Sequence, residues 1–329
     1  MRGGRTIKEH GNKMNIVVLD GYTENPGDLS WEPIARLGGF TVYDRTPANE
    51  VVSRIGDAEI VLTNKTVIGR DTIAACPQMK LIVVLATGFN VVDVAAAKEN
   101  GVLVTNIPAY GTTAVAQHTF ALLLELCNHV GHHSDSVKAK TWQTGIEWCY
   151  WDFPIVELAD KVMGLIGFGR IGGAVAKIAL AFGMKVIVHD VQEINFPDAR
   201  QVDLETLFAE SDVISLHCPL FDSTKGIIRK ENIAKMKDGV IILNTARGPL
   251  IVDEDLAEAL KSGKVGGAGV DVLTEEPPRN GNPVIDVQGS IVTPHMAWAA
   301  KEARMRLMDI AMGNISAYMD GKPVNVVNP

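Results

Sequence analysis

The sequence predicts an α/β protein built on two doubly wound parallel sheets, and three observations point there. Short β-branched runs alternate with helical stretches along nearly the whole chain. The 329 residues suffice for about two domains, each with its own core. One βαβ passage, Val162 to Asp190, carries a glycine-rich turn, whereas the earlier alternation carries none.

In the first unit, strands are expected over Asn15 to Asp20, Phe40 to Tyr43, Glu59 to Thr63, Leu81 to Leu85 and Val102 to Thr105. Helical or turn-forming stretches separate them at Ser30 to Leu37, Glu50 to Ile55, Arg70 to Ala75 and Val92 to Asn100. Such alternation builds a parallel sheet covered on both faces, here flavodoxin-like and without its own dinucleotide loop. From Val115 to Cys127 the chain is apolar nearly all round. That helix should be buried on most sides, either across two domains or against a second subunit. The second unit reads as strands at Val162 to Ile166, Lys185 to His189, Asp212 to His217, Val240 to Asn244, Gly267 to Asp271 and Ser290 to Thr293. Its helices fall at Asp203 to Glu210, around Lys230 to Met236, and at Glu254 to Ser262. A long amphipathic stretch, Lys301 to Met319, is expected to return to the first unit. The boundaries that follow are 1–110 plus 299–329 for a discontinuous substrate domain and 111–298 for an inserted Rossmann domain, with a cleft between them.

The glycine-rich turn is Gly167-Phe-Gly169-Arg-Ile-Gly172. It follows a buried-strand pattern and precedes a helix whose apolar face carries Ile171, Ala174, Val175, Ile178, Ala179 and Phe182. Gly167 permits a tight turn, Gly169 lets backbone approach a pyrophosphate, and Gly172 lets helix and strand pack closely. Asp190, ending the next strand, can accept hydrogen bonds from a ribose and would repel a 2′-phosphate. Strand, helix, strand and acid in that order imply NAD as cofactor.

Bulk properties exclude several classes. The formal charge of −8 and the lack of any basic run argue against a nucleic-acid partner. The longest apolar runs, near Leu81 to Leu85 and Leu122 to Leu126, are too short to span a bilayer. Residues 1–13 lack an apolar signal core and read as a disordered extension or an upstream start. Cys76, Cys127, Cys149 and Cys218 form no CxxC pair, so free thiols in a reducing cytoplasm are expected, with no metal site.

NAD binding leaves the reaction open. Arg247, Glu276 and His295 each follow a predicted strand of the second unit, at the carboxyl end where open α/β sheets hold ligands. A guanidinium can clamp a keto-acid carboxylate and polarise its ketone. An imidazolium can protonate the developing alkoxide, and a neighbouring carboxylate can orient that ring. His129, His132 and His133 at helical spacing suit a solvated helix end better than a metal site, and His118 suits a satisfied core histidine. Trp142, Trp148, Tyr150 and Trp151 suit packing or a subunit contact.

With those residues in place, the chain from Met14 onward resembles the D-isomer-specific 2-hydroxyacid dehydrogenases. The matching segments are Ala86 to Asp93, Thr105 to Ala116, the Gly167 turn, His217 to Leu220, Asn244 to Gly248, Gly269 to Val272, Glu276-Pro277 and Thr293 to His295. The resemblance implies that Arg247 binds substrate, that His295 is the acid/base and that Glu276 is its partner. It implies substrate contacts from Thr87, Gly88, Phe89 and Trp298, the first three through backbone amides. It further implies cofactor contacts from Thr87, Gly167, Gly169, Arg170, Ile171, Gly172, Asp190, His217, Cys218, Pro219, Thr245, Ala246, Arg247, Asp271 and His295, and a homodimer built through the dinucleotide domain. Cys149 to Pro154, His295 to Ala299 and Leu19 to Asp28 are similar to the glycerate dehydrogenase, or hydroxypyruvate reductase, branch. Ending soon after the last helix, the sequence is expected to lack the C-terminal regulatory extension of many phosphoglycerate dehydrogenases. Two departures stand out: Phe89 stands where many relatives have a smaller aliphatic, which leaves the pocket size open, and Asp160-Lys161 stands where relatives usually show Gly-Lys in a turn. The implied reaction is NADH-dependent reduction of a small 2-keto acid to the D-2-hydroxy acid, with hydroxypyruvate and glyoxylate foremost. D-lactate, branched or 3-phosphoglycerate substrates remain alternatives, as does an NAD-sensing corepressor of the same fold.

Overall fold

The computed structural model describes residues 14–329, so the reading of residues 1–13 lies outside the described residues. The chain forms two compact units: residues up to Tyr110 with Lys301–Pro329, and Gly111–Ala300.

The first unit holds five strands, β1 (Asn15–Val18), β2 (Gly39–Val42), β3 (Ile60–Thr63), β4 (Leu81–Val84) and β5 (Leu103–Thr105). All pair in parallel, in the order β2-β1-β3-β4-β5. That is the flavodoxin-like order, with the chain reversing direction across the sheet between β1 and β3. The central strands β3 and β4 are buried at every residue, which is why they read as unbroken apolar runs rather than alternating ones. Asp93 caps the helix Val94–Glu99 by accepting the Ala96 N–H at 2.8 Å. The helix Lys301–Met319 packs on this sheet, burying Ala303, Leu307, Ala311 and Ile315.

The second unit holds seven parallel strands, β6 (Val162–Ile166), β7 (Lys185–His189), β8 (Ala199–Gln201), β9 (Val213–Leu216), β10 (Val240–Asn244), β11 (Val265–Val270) and β12 (Ser290–Val292). Their order, β12-β11-β10-β9-β6-β7-β8, is the Rossmann order extended by one strand. The chain reverses between β6 and β9, so the glycine-rich turn after β6 opens at the switch point. The apolar helix runs Thr112–Asn128 and lies within this unit, against β10, β11 and the helix Arg170–Ala181. Leu122, Leu123, Leu126 and Cys127 join the core there, which accounts for its all-round apolar surface without a second subunit.

Candidate active site

Strand β6 runs into Gly167, whose φ is 93°. A Cβ there would lie 2.6 Å from the Cys218 amide nitrogen, so glycine is required by both conformation and space. At Gly172 a Cβ would lie 2.5 Å from the Gly167 carbonyl oxygen. Gly169 is different, because a Cβ there would meet nothing within 4 Å. The fold itself gives no reason for glycine at 169. The open approach lies at the start of the helix Arg170–Ala181, which has no side-chain cap. Free N–H groups beside open space fit the pyrophosphate of a dinucleotide.

Asp190 directly follows β7 and ties that strand to the turn. Its Oδ2 accepts the Phe168 N–H at 2.7 Å and its Oδ1 the Gln192 N–H at 2.9 Å. Each oxygen keeps acceptor capacity for a ribose hydroxyl. His217 and Cys218 stand against the turn after β9. Part of His217 reaches solvent, yet desolvation of its ring pushes its pKa down to about 4. Its Nε2 bonds the Ser215 hydroxyl at 2.8 Å, and burial pushes the Cys218 thiol up to about 11. Both are uncharged at neutral pH. These residues fit NAD.

Arg247, Glu276 and His295 follow three adjacent strands, β10, β11 and β12. Asn244 pairs with Val270 and Val270 with Val292, so the three strands end level with one another. Strand spacing puts the outer two ends about 10 Å apart. His295 Nδ1 lies 2.6 Å from Glu276 Oε2, so Nε2 is the ring nitrogen turned away from that carboxylate. The other Glu276 oxygen accepts the Leu273 N–H at 2.9 Å. Both side chains are about one-third exposed, accessible without being loose.

The loop carrying His295 is wrapped around one carboxylate. Asp271 is 1% exposed and accepts from the Thr293 hydroxyl (2.6 Å), the Met296 N–H (2.9 Å) and the Ala297 N–H (2.8 Å). Its backbone carbonyl accepts the His295 N–H at 2.8 Å. His118 Nε2 lies 3.0 Å from Thr293 Oγ1 and 3.5 Å from Asp271 Oδ1. Arg247 is exposed, and its turn is closed from beneath by the buried Asn244. That amide donates to the Arg247 carbonyl at 2.9 Å and accepts the Ala246 N–H at 3.0 Å. A Cβ on Gly248 would lie 1.9 Å from the Leu273 carbonyl oxygen, so the arginine turn rests directly on the backbone leading to Glu276.

A family model described as "D-isomer specific 2-hydroxyacid dehydrogenase, NAD binding domain" matches residues 120–297. The chain belongs to this family. The protein is therefore an NAD-dependent oxidoreductase acting on a CH–OH group. It is 55% identical over 321 residues to a hydroxypyruvate reductase of Blautia hydrogenotrophica, covering 96% of this chain and 100% of that one. It is 45% identical over 291 residues to a glycerate dehydrogenase of Methylorubrum extorquens, covering 88% and 91%. Among solved structures, an acyclic imino acid reductase in complex with NADPH and D-Arg superposes with a TM-score of 0.83 at 33% identity, over 95% of this chain and 100% of that one.

Within this dehydrogenase, the remaining expected residues are spread over both units. Thr245 bonds the Thr119 hydroxyl at 3.0 Å, and Ala246 is half-buried beside it. Arg170 and Pro219 are exposed, while Ile171 packs onto the core. Trp298 donates from Nε1 to the His295 carbonyl at 2.9 Å. Thr87, Gly88 and Phe89 lie after β4 in the first unit, where the Thr87 hydroxyl donates to the Ile107 carbonyl at 2.9 Å. Phe89 packs against that unit's core. The Asp271 carboxylate, expected at the cofactor, holds the His295 loop. Asn244, Gly248, Thr293 and His118 support the site and were not foreseen. Helical spacing alone did not disclose the partner of the histidine group: His132 Nε2 lies 2.7 Å from Asp152 Oδ2, and His133 Nε2 accepts the Asp152 N–H at 3.1 Å.

Proposed function

We propose that this dehydrogenase reduces hydroxypyruvate, and glyoxylate beside it, to D-glycerate and glycolate with NADH. One observation carries the chemistry: the 2.6 Å bond between His295 Nδ1 and Glu276 Oε2, with the Arg247 turn seated against the same loop. The hydroxypyruvate reductase at 55% identity supports the substrate. Arg247 clamps the keto acid through its planar fork and polarises the ketone. The backbone amides of Thr87, Gly88 and Phe89 hold the carboxylate, and Trp298 lines the pocket. When bound, NADH supplies the hydride that reduces the carbonyl carbon. His295 Nε2 gives its proton to the carbonyl oxygen as charge builds there, and Glu276 steadies the imidazolium through Nδ1. In the reverse direction the same nitrogen takes the hydroxyl proton.

Asp190 supports a preference for NADH over NADPH, since a 2′-phosphate would meet a carboxylate. Four free cysteines among the described residues support a reducing, cytoplasmic setting. The exposed aromatics between residues 142 and 151 support a homodimer. No helix among the described residues is long and apolar enough to cross a membrane.

A panel of 2-keto acids at fixed NADH tests the substrate. Hydroxypyruvate should lead in kcat/KM with glyoxylate next, and pyruvate, branched 2-keto acids and 3-phosphohydroxypyruvate well behind. Faster turnover of any of the latter would reassign the substrate. Tight NADH binding with no reduction of any 2-keto acid would favour a sensing role instead.

A further inference from the structure

The first unit buries a carboxyl group that the proposed chemistry leaves unused. Glu24, in the loop after β1, has no exposed surface, and Asn64 directly follows β3. The two meet where the order of this sheet reverses, at the carboxyl ends where α/β sheets receive ligands. Asn64 Nδ2 donates to Glu24 Oε1 and also to the Leu85 carbonyl at 2.8 Å. Leu85 leads directly into Thr87, Gly88 and Phe89. Among the described residues, Glu24 Oε2 and Asn64 Oδ1 are both buried without a partner.

The surrounding charges do not supply one. Asp20 already accepts the N–H groups of Asn64, Lys65 and Thr66 at 2.8, 2.6 and 2.7 Å. Arg304 gives its fork to both Asp28 oxygens, at 2.8 and 2.7 Å, and meets Glu24 at the backbone carbonyl, 3.0 Å away. Lys65 is exposed. An ionised carboxylate in this position would be dry and under-bonded. Burial first, and then the Asp20 charge, push the Glu24 carboxyl up to about 8, while Arg304 and Lys65 oppose the shift.

We propose that Glu24 works as a neutral carboxylic acid, forming a reciprocal acid–amide pair with Asn64 that positions the Leu85–Phe89 loop for keto-acid binding. As an acid, Glu24 offers one donor and one acceptor, as does the amide, and both orphaned atoms are satisfied together. Loss of the proton leaves two acceptors in one dry pair. The amide must then turn, and the Leu85 carbonyl loses its donor. Glu24 is thus a positioning residue, and the loop half of the proposal rests on reading Thr87, Gly88 and Phe89 as the carboxylate holders.

The sign of the linkage follows. The folded chain keeps a proton on Glu24 that the unfolded chain releases near the ordinary value of 4.5. Stability therefore falls as pH rises from about 4.5 to about 8 and is flat in this respect above that.

Wild type, Glu24→Gln and Glu24→Ala are compared from about pH 6.5 to about pH 9.5, in keto-acid KM and kcat, NADH affinity and Tm. Wild-type KM should climb by about tenfold per pH unit above the transition, with little change in kcat or NADH affinity. The glutamine variant, which keeps one donor and one acceptor, should hold KM low throughout, and the alanine variant should show a high KM at every pH. The Tm of Glu24→Gln should gain on wild type as pH rises toward 8. Parallel Tm slopes for those two chains would overturn the acid assignment, and that measurement needs no substrate. A differing Tm slope with parallel KM profiles would overturn the loop role alone. Absence of turnover with every 2-keto acid would remove the loop role together with the proposed function and leave the acid assignment to the Tm slopes. Should Glu24→Gln fail to fold, the infrared band of a protonated carboxyl in wild type, present at neutral pH and lost in alkali, decides the assignment. Its absence at neutral pH would sink it.

Discussion

His295 takes a left-handed backbone, φ 53°, which costs a non-glycine residue about 1 kcal/mol and persists only where surroundings dictate it. Here the Asp271 carboxylate and carbonyl together hold Thr293, His295, Met296 and Ala297. On the proposed reading, the histidine is aimed before substrate arrives, with Glu276 fixing which nitrogen is presented. His295→Ala should lower kcat by about 10³-fold while leaving NADH affinity close to wild type, because the ring's proposed main task is proton transfer and the glycine-rich turn is expected to carry most of the nucleotide binding. Near-normal turnover would end the assignment. Gly248→Ala probes the neighbouring contact. With the Leu273 carbonyl oxygen 1.9 Å from the new Cβ, backbone must shift on both the Arg247 and Glu276 loops. A stability loss of about 2–4 kcal/mol and a marked drop in kcat are expected, read by denaturant unfolding and steady-state kinetics. A variant as stable and active as wild type would show that the two loops are not mechanically joined.

At the scale of elements, the three glycines of the cofactor turn separate two causes. Gly167→Ala forces a β-carbon into the Cys218 backbone at a positive φ, so it should damage folding and cofactor binding alike. Gly169→Ala meets no protein atom within 4 Å, so its Tm should match wild type while NADH affinity falls about tenfold or more. Equal NADH affinity in Gly169→Ala would mean that the pyrophosphate does not approach there. Asp190→Ala should narrow the preference for NADH, measured as the ratio of kcat/KM with the two reduced cofactors. These elements were legible because their pattern is local: β6, β7 and β10 follow from unbroken apolar runs, and the turn follows from its glycines. Strand β8 was missed, since Ala199–Gln201 lies at the sheet edge with no buried residue and shows no apolar signal. Of the helix Val130–Lys138 only the helical spacing of His129, His132 and His133 was legible, as none of its residues is buried. Within the candidate site, Arg247, Glu276 and His295 are proposed from strand-end chemistry. Asn244, Gly248, Thr293 and His118 could not be read in that way, because each acts through a contact formed only when distant segments meet.

For the whole molecule, large exposed hydrophobics occur at many places on a chain of net charge −8, and one short stretch concentrates them. Ile146 is 100% exposed, Trp148 87% and Trp151 62%, all between the apolar helix and β6. Single exposed hydrophobics need no explanation, but a run of large ones marks a contact surface. The run is also anchored: Asp152 is bonded by His132 and His133, Tyr150 by Ser136, and Trp142 Nε1 donates to the Trp148 carbonyl at 2.9 Å. An anchored apolar surface loses less entropy on association than a loose one. The proposed homodimer should therefore be seen by sedimentation or light scattering at micromolar chain concentration. Ile146→Asp combined with Trp148→Asp should shift the mass to that of a monomer. The proposed NADH site lies on other strands and loops of the same unit, so nucleotide affinity should survive the change. A wild-type mass of one chain would overturn the homodimer, and a double variant that stays dimeric would place the interface elsewhere.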